Sequence, residues 1–178
     1  MKTFAILAAS IAYAGAAPLA TDSETFKLIA SAPGTPINAR YLTVNNGFFY
    51  VGKETNSTCG NIAPIFEGGD AGWLAIFGDG KENQQQAFVD ISGAADGAFS
   101  YSHPADGQMN AEQISDKFER TADGDILYDG SNWLACPQAA GEYMIFADKA
   151  FDAPRDKCTT LDIQTKKVRT PKVACIFQ

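Results

Sequence analysis

The chain holds one histidine, His103, set in Ser102-His103-Pro104 within a polar stretch. Serine, threonine and thiol nucleophiles depend on a neighbouring base, and imidazole is the usual one near neutral pH. A lone histidine beside proline is the pattern of a surface loop, so no general-base role is assigned to it. Ser92, in Asp90-Ile91-Ser92-Gly93, lacks the leading glycine that a strained nucleophile elbow requires. Carboxylates are more plentiful. Glycoside hydrolysis needs two of them at a set separation, and Glu119 with Asp125, or Asp90 with Glu142, are pairs the chain offers. Their spacing does not distinguish them from solubilising charges. The expectation is a protein without catalytic residues, with a secreted carbohydrate-binding module or glycosidase as the alternative.

Asp123-Gly124-Asp125 with Asp129 invites a calcium reading, since carboxylates and glycine build oxygen-ligand loops. Leu127 occupies the next ligand position of the alternating pattern, and Asp-Gly is itself a favoured tight-turn pair. Turns are expected there, with no metal and no cofactor. Trp73 and Trp133 could stack on sugar rings through their apolar faces. Each also sits in an apolar strand pattern, for which a core position is the plainer expectation. Aromatics are not interleaved with basic residues, which argues against nucleic acid as a partner.

The even set Cys59, Cys136, Cys158 and Cys175 suits disulfides in an oxidising compartment better than zinc, because no CxxC pair accompanies the single histidine. Four cysteines allow three connectivities. The favoured one joins Cys158 to Cys175 across a C-terminal strand pair and Cys59 to Cys136 across the body. Asn56-Ser57-Thr58 is an N-glycosylation acceptor beside the first cysteine.

The compartment is indicated by the first residues. Lys2, the apolar run Phe4 to Tyr13 and the small residues Ala14-Gly15-Ala16 form a secretory signal over residues 1–17, cleaved between 16 and 20. No later stretch approaches the ~20 apolar residues of a spanning helix. The whole chain carries 14 Lys and Arg against 21 Asp and Glu, for a net charge of −7; loss of Lys2 makes the mature protein slightly more acidic. Polyphosphates and anionic membranes need concentrated cationic surface. The one basic cluster, Lys166, Lys167, Arg169 and Lys172, is expected to be a solvated strand edge that resists unwanted pairing.

The elements that would position these residues are mostly strands. Tyr41 to Val44 and Phe48 to Val51 flank Asn45-Asn46-Gly47, a hairpin whose Asn-Gly turn tolerates positive φ. Trp73 to Phe77 and Ala87 to Ile91 are expected to pair across a polar Gln84-Gln85-Gln86 loop. Alternating runs continue at Ala98 to Ser102, Lys117 to Thr121, Ile126 to Tyr128, Trp133 to Cys136, Tyr143 to Phe146, Leu161 to Ile163 and Val173 to Phe177. Ala111 to Asp116, capped by Asn110, is the one stretch with helical character. About ten short strands over residues 18–178 imply one all-β domain, an antiparallel β-sandwich or β-barrel. A β-trefoil is the alternative, although the glycines at 47, 97 and 124 are unevenly spaced.

The order of a first cysteine after a glycosylatable stretch, Phe88-Val89-Asp90-Ile91-Ser92-Gly93, a Gly-Asp-Ile-Leu-Tyr-Asp-Gly turn, Leu134-Ala135-Cys136-Pro137 and two late cysteines resembles the fungal PhiA-like (phialide-development) cell wall proteins. The likeness spans about Phe26 to Phe177. It implies a secreted, wall-associated structural or interaction protein linked to spore-forming structures, or an elicitor or allergen. It brings the four cysteines as matched positions and no catalytic residue. A wall polysaccharide or a host surface component is the expected partner, and the protein is expected to be a monomer.

Overall fold

The computed structural model describes residues 24–80, 83–103, 106–139, 141–169 and 173–178. The secretory segment and Lys172 lie outside them. The chain forms β1 (Phe26–Ser31), β2 (Leu42–Asn45), β3 (Phe48–Val51), β4 (Phe66–Gly68), β5 (Leu74–Ile76), β6 (Gln85–Asp90), β7 (Ala98–Tyr101), β8 (Gln113–Ile114), β9 (Phe118–Arg120), β10 (Asp125–Tyr128), β11 (Trp133–Ala139), β12 (Glu142–Ala147) and β13 (Thr159–Lys167). A 3-10 turn, Asp148–Ala150, follows β12.

Nine of these strands close an antiparallel barrel. The order runs β1-β4-β5-β6-β7-β3-β12-β11-β13, and the pairing of β13 with β1 seals it. All-β architecture is therefore observed, as a barrel and not as a sandwich or a trefoil. Strands β2, β8, β9 and β10 add flaps to the wall. The Asn-Gly hairpin is present, with Asn46 at φ 50 and Gly47 at φ 82, and Leu42 to Asn45 pair in register with Val51 to Phe48.

Alternation along the strands sends one face inward, as in the buried–half-buried repeat of β1. Aromatic rings fill the interior. Phe49 stacks on Phe99 with centroids 3.9 Å apart, and Phe99 lies 4.5 Å from Trp133. Phe26, Phe66 and Phe118 extend this column. Among the described residues the barrel interior is a packed core. A second apolar cluster, Leu134, Phe146 and Phe151 with Cys136 and Cys158, lies apart from it, where the segment after β12 folds back over β11 and β12.

Four local expectations are corrected. Gln85 and Gln86 belong to β6 and not to a loop, because the buried Gln85 amide has a full set of partners. Its Nε2 donates to the carbonyls of Phe177 and Ser102 at 2.9 and 3.1 Å, and its Oε1 accepts from the Phe177 N–H at 2.7 Å. Ala111 to Asp116 is not helical: Asn110 Oδ1 accepts from the Glu112 N–H, and Ile114 then pairs with Val89. Six residues are too few for a helix to outweigh that pairing. The 173–178 tail is no strand partner of β13; it runs beside residues 56–58 through the Ser57–Phe177 bridge. Finally, Lys166 and Lys167 sit inside the barrel's closing ladder, opposite Lys27 and Phe26, so they do not guard an edge.

The favoured disulfide pairing is also overturned. Cys59 joins Cys175, and Cys136 joins Cys158. The β11–β13 register, with Trp133 opposite Leu161 and Ala135 opposite Thr159, brings Cys136 opposite Cys158, with Cα atoms 4.2 Å apart. The tail's path beside residues 56–58 delivers Cys175 to Cys59.

Candidate functional site

The structure separates the two tryptophans. Trp133 is fully buried, and its indole N–H donates to the Ile126 carbonyl at 2.6 Å. Sugar stacking at Trp133 is thereby excluded. Trp73 is 37% exposed and lines a surface groove of about 610 Å³ with Glu67, Phe77, Gln84 and Gln86. The plainer core expectation thus fails for Trp73, which sits one residue before β5.

The platform under Trp73 is built from glycine. Gly68, opposite Leu74 in the β4–β5 hairpin, has φ +97, and a Cβ placed there would stand 2.7 Å from the indole Cε3. The ring can lie against the strand only because that Cβ is missing. The hairpin tip is held from outside. Gly69 N–H donates to the Trp73 carbonyl at 2.6 Å, and β9 donates to the tip through Phe118 N–H to Gly72 and Arg120 N–H to Gly69, each at 2.8 Å. Arg120 forms a two-pronged contact with Asp70 at 2.9 and 2.8 Å and lies over the Phe26 ring.

Polar groups border the indole. Gln84 Nε2 donates to Glu67 Oε1 at 2.5 Å. Gln86 Nε2 donates to the Leu74 and Ala87 carbonyls at 2.8 and 3.2 Å. Gln86 thus commits both amide hydrogens to the protein and Gln84 one of its two, and each leaves an oxygen as acceptor. A flat aromatic face flanked by a carboxylate and amide oxygens suits a pyranose ring: its C–H face packs on the indole while its hydroxyls donate.

The remaining sequence candidates do not assemble. Glu142 bonds Lys53 at 3.2 Å, and Asp90 accepts from the Ser92 N–H at 3.0 Å. Glu119 and Asp125 lie on β9 and β10, with Glu119 opposite Leu127, away from the groove lining. Asp129 holds Lys149 at 2.9 Å and Lys117 at 3.6 Å, which pulls its carboxyl below the ordinary range, first through the Lys149 hydrogen bond. Asp123-Gly124-Asp125 is a turn, with Gly124 at φ +89. Among the described residues no group of three or more metal-type side chains gathers, and no helix is long and apolar enough to cross a membrane. His103 lies in the loop after β7, its N–H bonded to Asp106. Asn56 is exposed, with its backbone paired to Val44 and Gln178.

A closed, aromatic-filled barrel stapled by two disulfides and carrying an open groove on its wall defines a small β-barrel protein of the extracellular type. The model of the PhiA-like secreted protein family matches residues 26–178, and the chain belongs to that family. It is similar to the cell wall protein phiA of Emericella nidulans, 27% identical over 182 residues with 95% of this chain and 94% of the relative covered. It is also similar to the cell wall protein phiA of Arthroderma benhamiae, 23% identical over 188 residues with 99% and 100% covered. No solved structure matches the chain. The protein is secreted and placed with the cell wall proteins, and the family description names no enzyme.

Proposed function

We propose that this is a non-catalytic wall-associated interaction protein that holds neutral wall polysaccharide in the Trp73 groove. The observation that carries the reading is the exposed indole seated on Gly68, beside Glu67 and the oxygens of Gln84 and Gln86. A platform held by backbone contacts on both strands loses little freedom on binding, which favours affinity. Glu67 is the one carboxylate among the described lining residues, whereas hydrolysis of a glycosidic bond takes two; this supports binding over cleavage. Roles in spore-bearing structures, or in recognition by a host, would be consequences of presenting such a surface outside the cell.

Pull-down on chitin and on β-glucan tests the proposal. Trp73→Ala should keep the wild-type melting behaviour closely enough to be assayed and lose glycan binding. Retention by neither polymer, or undiminished binding by folded Trp73→Ala, overturns it. Release of reducing ends that disappears in Glu67→Gln would favour a hydrolase instead.

A further inference from the structure

The second large groove has the opposite electrostatic character. It measures about 520 Å³ and is lined by Arg40, Tyr41, Thr43, Lys53, Glu54 and Asn61. Tyr41 is 37% exposed, and two further ammonium groups stand against its ring, Lys27 at 5.5 Å and Lys166 at 5.7 Å from the centroid. Those two lysines are direct cross-strand partners in the β1–β13 ladder, an arrangement in which like charges repel. A tyrosine ring offsets two full charges only in part.

The cluster is set apart by bringing unpaired cations together. Lys53, Lys117, Arg120, Lys149, Arg155 and Lys167 each hold a carboxylate. Lys27, Lys166 and Arg40 hold none among the described residues, although the chain has 21 acidic groups available. The same is true of Lys157 and Arg169, but the first three gather at one tyrosine. Glu54 is the one carboxylate among the described lining residues; with Lys53 already paired to Glu142, Arg40, Lys27 and Lys166 leave the surroundings of Tyr41 with a cationic excess. Repulsion from the acidic remainder of the surface is screened over about 8–10 Å at physiological salt, so the local cluster decides what binds.

We propose that the Tyr41 groove binds an acidic sugar, an oxyanion carried on a pyranose ring. The carboxylate or phosphate sits between Lys27, Lys166 and Arg40, and the ring packs on Tyr41. Asn61 supplies a hydrogen-bond donor from its NH2 group, because its Oδ1 already accepts the Thr55 N–H at 2.9 Å. The site is independent of the Trp73 groove and shares no lining residue with it. A protein with both would engage a neutral and an acidic polymer with different faces.

Calorimetric titration with an oligogalacturonate, mannose 6-phosphate, their neutral counterparts and inorganic phosphate tests this and distinguishes uronate from sugar phosphate. At least one acidic sugar should bind, more weakly as salt rises, and the neutral sugars should not compete. Lys27→Gln with Lys166→Gln should weaken it at least about tenfold, Lys27→Arg with Lys166→Arg should restore it, and Trp73→Ala should leave it unchanged. Arg40→Gln, on an exposed loop, is the second variant should the double change unfold the barrel. No binding of either acidic sugar, equal binding of neutral sugars, or undiminished binding by the folded glutamine variants overturns the proposal. Inorganic phosphate binding as tightly as the sugars overturns the role of Tyr41.

Discussion

Gly68 lies directly beneath Trp73: a Cβ on Gly68 would come within 2.6 Å of the Trp73 carbonyl oxygen and within 2.8 Å of two ring carbons. Gly68→Ala should therefore act as a groove mutation made from behind. The added methyl must push the indole outward while the backbone is held at a φ that alanine resists, costing about 1–3 kcal/mol. Loss of glycan retention in a folded Gly68→Ala protein, with quenching or shift of Trp73 fluorescence, is expected. Unchanged emission and binding would contradict the seating.

The two tryptophans should separate in stability as well. Trp133→Ala empties the middle of the aromatic column and removes the indole hydrogen bond to the Ile126 carbonyl, which costs about 3–5 kcal/mol. Trp73→Ala gives up contacts on one face and should cost at least about 2 kcal/mol less. Urea midpoints of the two variants check this.

Non-reducing peptide maps should contain the linked pairs Cys59–Cys175 and Cys136–Cys158. Sequence separations of 116 and 22 give chain-entropy contributions of about 5 and about 3 kcal/mol. Cys59→Ser with Cys175→Ser should therefore lower the melting temperature more than Cys136→Ser with Cys158→Ser. The reverse order would show that strap packing over Phe146 and Phe151 outweighs loop closure.

Gln85→Leu removes the two hydrogen bonds that tie the tail to β6 at Phe177 and a third to the Ser102 carbonyl just after β7. Buried unpaired backbone groups then cost about 1–3 kcal/mol. Hydrogen exchange of the Phe177 amide should rise well above that of the barrel strands, and equal protection would refute the clamp.

Burial, opposed in part by the Gly47 N–H bonded to its oxygen, pushes Tyr101 up to about 12 from 10.0, and burial with the Asp129 charge does the same for Tyr128. Both folded values are raised, so the folded state holds these protons more tightly than the unfolded chain. The stability from this source is complete below pH 10 and is lost between pH 10 and about 12. Melting temperature should fall steeply across that window, with late phenolate absorbance from these tyrosines. A decline already complete at pH 9 would point elsewhere.

Much of this was decided locally and so could be read from the chain itself. Asn46-Gly47 specifies its hairpin because few residues accept positive φ at two successive positions, and alternating apolar runs specify strands because side chains alternate faces. Cysteine parity and the signal pattern determined the compartment and the presence of staples. Barrel closure was not local: β1 meets β13 across most of the sequence, and only that ladder turns Lys27 and Lys166 from scattered charges into neighbours. The same distance hid the disulfide partners, since Cys136 finds Cys158 through the β11–β13 register and Cys175 finds Cys59 through the tail's course. Trp73 and Trp133 look alike in one dimension, and Gln85 looks like a loop residue. Which indole is buried, and which amide is saturated, follow from which side of a closed wall each one faces, a property that exists only once the wall has closed.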